Sequence, residues 1–130
     1  MALRVLLVDD DEGLSELLDV TFGVDERFEL VGRAANGAEG VELYERLRPD
    51  AVLMDLHMPV LGGVQATRAI LERDPDACVV AFTASRDAEE HEAARRAGAA
   101  AVLTKPFDPV RVLDAFERHA RRCSEDADAA

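Results

Sequence analysis

The sequence lacks any run of about 18 or more apolar residues, the length a helix needs to cross a bilayer. Met1-Ala2-Leu3-Arg4 leads straight into a strand-like segment, so no cleavable signal is expected either, and the cytoplasm is the expected location. Cysteine is scarce: Cys78 and Cys123 form no C-x-x-C and join no Cys/His cluster, which leaves Cys78, inside an apolar run, as a small buried hydrophobe. Positive charge is also short, with 15 Lys+Arg against 27 Asp+Glu and a formal net charge of −12. Such a domain is repelled by a phosphate backbone, which argues against non-specific binding to nucleic acid. Part of the acidity has a bland source in Ser124 to Ala130, read as a frayed acidic tail after a domain spanning 1–123. No internal repeat, low-complexity segment or interdomain linker is present. At 130 residues, 48% hydrophobic and 32% charged, the chain suits one soluble domain with one well-buried core.

What is present is an alternation of short apolar runs with helical patterns. Leu3 to Val8, Phe28 to Gly32, Ala51 to Met54, Cys78 to Phe82 and Ala100 to Thr104 read as strands, the second as the most peripheral. Between and after them, apolar residues recur at helical spacing over 13–22, 38–48, 64–73, 87–97 and 108–121. Pro49, Pro75 and Gly98 stop three of these helices, and Asp108 can cap the last. Alternation of this kind predicts an α/β fold, a parallel sheet with helices on both faces. Five strands in a chain of this length fit the doubly wound, flavodoxin-like order 2-1-3-4-5 better than the six-stranded dinucleotide fold. That order makes the first and third strands neighbours. The carboxyl ends of the strands then bring Asp9, Asp10, Asp55, Thr83 and Lys105 towards one crevice.

The crevice has a definite chemical requirement. At an effective dielectric of about 20, two unit charges 4 Å apart cost on the order of 4 kcal/mol, so three carboxylates there need positive charge among them. Lys105 supplies one cation. Two or three Asp facing water are also what a hard divalent ion prefers, and magnesium keeps waters while accepting phosphate oxygens. An Asp can itself attack phosphorus to give an aspartyl phosphate, and the Thr83 hydroxyl and Lys105 ammonium suit the stabilisation that phosphoryl transfer needs.

Val5-Leu6-Leu7-Val8-Asp9-Asp10, Val52-Leu53-Met54-Asp55-Leu56-His57-Met58-Pro59, Phe82-Thr83-Ala84 and Leu103-Thr104-Lys105-Pro106-Phe107 together resemble the receiver domain of two-component response regulators, over about residues 3 to 121. Any one of these motifs is weak, but four in this order and spacing are specific. The resemblance implies that Asp55 accepts a phosphoryl group from a histidine kinase or a histidine phosphotransfer protein, with Mg2+ as cofactor. It implies Asp10 as a direct metal ligand, Asp9 mostly through water, and Asp55 and the backbone carbonyl of His57 as the remaining protein ligands. Thr83 would contact the phosphoryl oxygens after transfer and Lys105 would pair with them. The Lys105-Pro106 bond is often cis in the family. His57 and Ser85 occupy positions that tune dephosphorylation rate in the family. Receivers commonly carry an aromatic ring three residues before the lysine, where this chain has Val102, so a ring-rotation switch is not available to it. In receivers the last strand and its flanking helices form a face often used for dimerisation or effector docking, and the resemblance implies the same face for a homodimer or effector here.

Other readings predict other residues. A phosphatase of the haloacid dehalogenase type also forms an aspartyl phosphate but carries Asp-x-Asp, and here the second position is His57. A flavin or nucleotide binder predicts a Ser/Thr/Gly-rich loop after the first strand, where this chain has Asp9-Asp10-Asp11-Glu12. A non-phosphorylated interaction module would have little use for every acid, Thr83 and Lys105. His91, His119, Arg95-Arg96 and Arg121-Arg122 read as solvated helical positions. The expected role is therefore a signalling module, with no enzymatic turnover beyond its own phosphorylation and dephosphorylation, no direct nucleic-acid binding and no membrane association.

Overall fold

The computed structural model describes residues 2–105 and 108–129, and on the last helix side chains as far as Glu125. In chain order the elements are β1 (Leu3–Val8), α1 (Glu12–Gly23), β2 (Phe28–Ala34), α2 (Gly37–Leu47), β3 (Ala51–Asp55), α3 (Gly63–Arg73), β4 (Val79–Thr83), α4 (Ala88–Ala97), β5 (Ala101–Thr104) and α5 (Pro109–Ala129). Every strand pairing is parallel and the sheet order is β2-β1-β3-β4-β5, the doubly wound order expected. The Lys105-Pro106 bond lies outside the described residues.

Strand composition follows from double-sided burial. All five residues of β3 and all five of β4 are buried, so these strands read as continuous apolar runs. Side chains part between the two faces by parity. Leu3, Val5 and Leu7 of β1 join Leu18 and Phe22 of α1 and Leu113 and Phe116 of α5, while Leu6 and Val8 join Val41 and Tyr44 of α2 and Ile70 of α3. On the first face Phe22 meets the edges of Phe28 and Phe116, with ring centroids 5.1 and 6.0 Å apart. Ala81 packs with Ala94 of α4 on the second face.

This distribution of helices is a consequence of crossover handedness. The step from β1 to β2 runs outward one way, and the step from β2 to β3 returns past β1 and continues the other way. Right-handed crossovers in opposite directions place α1 on one face and α2, α3 and α4 on the other. The reversal leaves a crevice outside the carboxyl ends of β1 and β3. Asp9-Asp10 and Asp55 are the residues that stand there.

Helix starts are set by side-chain caps. Asp11 accepts from Leu14 N at 3.1 Å, Asn36 from Glu39 N at 2.9 Å and Asp87 from Glu89 N at 3.0 Å. Asn36 followed by Glu39 has the spacing of a capping box. At the far end of the chain, α5 continues through Ala129, where the sequence reading places a frayed tail from Ser124. After Pro109 the chain has neither Gly nor Pro, and Ala127 and Ala129 favour helix, so no local signal stops it.

Two local features were not legible in sequence. Cys78 is not a solitary buried hydrophobe: it is joined to Cys123 by a disulfide, with the Cα atoms 5.9 Å apart. Helix α5 brings Cys123 back to the start of β4, a meeting that depends on topology and not on spacing. The second feature is the loop after Pro59, where Leu61 N donates to Pro59 O at 2.8 Å across Val60, which holds φ 71°. This is a γ-turn in the left-handed region, costly for a β-branched residue. Val60 is exposed, so its side chain returns little by packing. Val60→Gly is expected to raise stability by about 0.5–1 kcal/mol, the left-handed penalty removed less the added unfolded-state entropy. Urea denaturation of the two proteins measures it.

Candidate functional site

The crevice is built from the ends of four strands. Asp9 follows β1 with its side chain 2% exposed, and its Oδ1 accepts from Asp11 N at 2.8 Å. Asp10 beside it is exposed. Asp55 closes β3, buried, and its Oδ1 accepts from His57 N at 3.3 Å. Thr83 closes β4, fully buried, with its hydroxyl oxygen accepting from Ser85 N at 3.1 Å. Lys105 follows β5; its backbone N donates to Thr83 O at 2.7 Å, which fixes the base of its side chain. The ammonium lies 3.0 Å from Asp9 Oδ2, 3.6 Å from Asp55 Oδ1 and 5.0 Å from the centre of the Phe82 ring. The fold thus gathers Asp9, Asp10, Asp55, Thr83 and Lys105 at one place, as parallel strands in this order require.

The electrostatics of Asp55 are those of an acid held against its preference. Burial is the largest cause that raises its carboxyl from 3.8 to about 6, and the Asp9 charge adds to it. Lys105 and the His57 N–H act in the opposite sense without cancelling the rise. One ammonium among three carboxylates leaves the cluster negative. Asp9, Asp10 and Asp55 each offer a carboxylate oxygen, all within 4.8 Å of one another. An all-oxygen set, part buried and part exposed, fits a hard divalent cation that keeps some of its water. It does not fit a soft or tetrahedral zinc site.

His57 has two distinct contributions. Its backbone faces Asp55 through the N–H already described, while its ring is 65% exposed and points to α4, with Nε2 2.5 Å from Glu90 Oε1. His91, the next residue of α4, places Nε2 2.7 Å from Ser85 O. The first turn of α4 therefore touches both the loop after β3 and the loop after β4. Sequence reasoning did not find Glu90. The only signal was an acid in the first turn of the helix that follows Thr83, and helix dipoles favour acids there in any protein.

The other positions singled out in sequence lie away from the crevice. Arg95 and Arg96 pair with Glu92 on the exposed side of α4, and Arg121 pairs with Glu117 one turn earlier on α5. Such exposed i,i+3 and i,i+4 pairs are a solvated helical face. Val102, half-buried, packs against the cluster of Leu56, Ala81, Ala94 and Ala99 beneath α4.

A glycine keeps Asp55 in place. Gly63 opens α3 directly against the site strand, and a Cβ there would stand 2.0 Å from Asp55 O and 2.7 Å from Leu56 Cα. Both obstacles are backbone and cannot rotate away. Gly63→Ala is expected to cost about 1–3 kcal/mol through displacement of α3 or of the Asp55 carbonyl. A lowered urea midpoint at unchanged slope checks it.

Among known proteins, the family model described as response regulator receiver domain matches residues 5–117. Chemotaxis protein CheY of Halobacterium salinarum is 42% identical over 116 residues, covering 89% of this chain and 95% of that protein. Chemotaxis protein CheY of Thermotoga maritima is 37% identical over 119 residues, covering 91% of this chain and 98% of that protein. Among solved structures, a two-component response regulator of the LuxR family from Aurantimonas superposes with a TM-score of 0.87 at 32% identity, covering 93% of this chain and 86% of that one. A CheX-CheY complex with BeF3 and magnesium from Borrelia burgdorferi superposes with a TM-score of 0.80 at 30% identity, covering 86% of this chain and 84% of that one. A family match across most of the chain, relatives matched over nearly their whole length and a crevice of three aspartates and one lysine at the sheet's switch point agree: this chain belongs to the response regulator receiver domain family.

Proposed function

We propose that Asp55 accepts a phosphoryl group from a histidine kinase or a histidine phosphotransfer protein, and that the modified domain controls a partner or an effector domain. The observation that carries this reading is the buried Asp55 carboxylate, 3.6 Å from the Lys105 ammonium and grouped with Asp9 and Asp10. A carboxylate oxygen of Asp55 attacks phosphorus, and the bond from phosphorus to the donor imidazole breaks. The imidazole nitrogen departs with the bond's electron pair, and a proton already held on the ring's other nitrogen lets it leave as neutral imidazole. Lys105 balances charge on the transferring oxygens, and the Thr83 hydroxyl, released from Ser85 N, donates to a phosphoryl oxygen after transfer. Asp10, Asp55 and the His57 carbonyl would hold Mg2+, with Asp9 acting mostly through water, and the ion would supply the remaining charge neutralisation. Receiver chemistry of this kind is stoichiometric: the domain promotes its own phosphorylation and dephosphorylation and turns over no separate substrate.

Several features support the setting. No helix among the described residues is long and apolar enough to cross a membrane, in keeping with a cytoplasmic domain. The net charge of −12 disfavours direct nucleic-acid binding by this chain. The face made by α4, β5 and α5, with Val110 exposed near the start of α5, is the surface for a homodimer or an effector. With Val102 in place of an aromatic ring, the contacts of Glu90 and His91 connect the site loops to that face.

Incubation with acetyl phosphate and magnesium, followed by intact-mass spectrometry, tests the reading. The expected result is one added phosphoryl group on the parent protein, absent from Asp55→Asn and absent in chelator. An equal adduct on the variant would contradict it.

A further inference from the structure

The disulfide lies at the opposite end of the sheet from the phosphorylation site, and its position in the chain is informative. Cys78 directly precedes β4, is 3% exposed, and its carbonyl accepts from Val52 N of β3 at 2.8 Å, so it is fixed to the strand that ends in Asp55. Cys123 continues the buried stripe of α5 formed by Val112, Leu113, Phe116 and Ala120. It is the last partly buried side chain described on that helix, with Ser124 and Glu125 exposed beyond it. Upstream, α5 has other anchors, among them Phe116 in the core and the ion pairs from Arg27 to Asp114 and Glu117. Among the described residues past Ala120, Cys123 is the one side chain that is not exposed, and the disulfide ties it to the sheet. The 45-residue separation encloses Thr83, α4, β5, Lys105 and most of α5.

Access is equally specific. Cys123 lines two surface cavities, one beside Tyr44, Asp50, Asp74 and Arg121, the other beside Leu71, Pro75 and Gly98. Cys78 lines the first of these but is nearly enclosed. In a reducing compartment a protein disulfide persists only where its potential or its protection allows, and those found there are mostly transient or redox-sensing. We propose that Cys78 and Cys123 form a reversible dithiol/disulfide pair, a redox modification site that fastens the end of α5 to the sheet when oxidised and frees it when reduced.

The exchange is a two-electron reaction with a dithiol protein reductant of the thioredoxin class. A thiolate of the reductant attacks Sγ of Cys123, the more accessible sulfur. The Cys78–Cys123 bond breaks, and Cys78 leaves as a thiolate that takes up a proton. The reductant's second thiolate then attacks the mixed disulfide, releasing Cys123 as a thiol once protonated. The reductant ends as its disulfide and the domain as a dithiol; the same exchange run backwards, with the disulfide form of such a protein as the two-electron oxidant, closes the Cys78–Cys123 bond again. This chemistry does not depend on Asp55; only the location in a reducing compartment is taken from the functional reading above.

The test treats the folded chain, quenches it in acid, and counts thiols by alkylation in denaturant and intact mass, so that the enclosed Cys78 is counted as well. After mild oxidation no thiol should be alkylated, and after native treatment with a thioredoxin-class dithiol both should be. Hydrogen exchange across 117–125 should then be at least about tenfold faster in the reduced form, and Tm should fall by roughly 5–15 °C. Cys123→Ser should match the reduced parent in both respects. Two free thiols after oxidation would overturn the pairing, and a disulfide resistant to native dithiol would overturn the reversibility. Equal exchange protection in the two forms would overturn the fastening of α5. Phosphoryl uptake at Asp55 measured in parallel reports separately on the functional reading, since loss of one result leaves the other standing.

Discussion

Lys105→Met is expected to destabilise the domain by about 3–5 kcal/mol and to slow phosphoryl uptake from acetyl phosphate by on the order of 10²-fold. Two physical effects add. The Asp9 carboxylate is 2% exposed and has the Lys105 ammonium 3.0 Å away, so methionine leaves a buried charge without its cation. A methionine of similar length fills much of the space but supplies neither the charge nor a donor. The Asp55 carboxyl then loses the Lys105 charge that now lowers it, and burial and Asp9 push it higher still. Urea denaturation reads the first effect, and the rate of appearance of the phosphorylated mass reads the second. Saturating magnesium should restore part of the stability, because a bound cation replaces the missing charge. It should restore little of the rate, since in the proposed transfer Lys105 acts on the phosphoryl oxygens themselves.

Asp55→Asn is expected to do the opposite to stability while abolishing phosphorylation. Burial and the neighbouring Asp9 charge raise the Asp55 carboxyl from 3.8 to about 6. A shift of that size corresponds to about 3 kcal/mol of cost at neutral pH, and an amide still has its own desolvation to meet, so a gain of roughly 1–3 kcal/mol is expected. The sign follows from proton binding. The folded protein holds this proton more tightly than the unfolded chain, so the group's favourable contribution is complete below about pH 4 and is lost as pH rises through about 6. In chelator, the stability gap between Asp55→Asn and the parent should open across that window and stay constant above about pH 7. Magnesium should narrow it by stabilising the parent alone. The site would then be one where function is retained against the interest of the fold.

Much of this arrangement was legible because the strands announce their own ends. Ala51 to Met54 and Val79 to Phe82 are apolar at every position, and the first polar residue after each, Asp55 and Thr83, necessarily stands at the carboxyl edge of a sheet buried on both faces. Asp9 and Lys105 follow by the same logic once the order of strands is known. What stayed hidden depends on contacts between residues distant in sequence. Cys78 and Cys123 meet only because α5 returns along the same face to the start of β4, and no spacing rule records that. The contact from His57 to Glu90 depends on where α4 begins relative to the loop after β3. The left-handed turn at Val60 ran against the residue type, since valine gives no hint of positive φ. Helix α5 extends to Ala129, and no helix-breaking residue intervenes after Pro109 in the acidic stretch from Ser124.

The central claim is that phosphorus becomes bonded to the carboxylate of Asp55. An acyl phosphate is reduced by borohydride to a primary alcohol, which converts the modified aspartate to homoserine and marks the position permanently. The measurement is peptide mapping after acetyl phosphate, magnesium and borohydride. Homoserine at position 55, and absent when magnesium is chelated, is the result this account predicts. Homoserine at Asp9 or Asp10 instead, or a stable phosphoryl adduct on any residue other than Asp55, would contradict it.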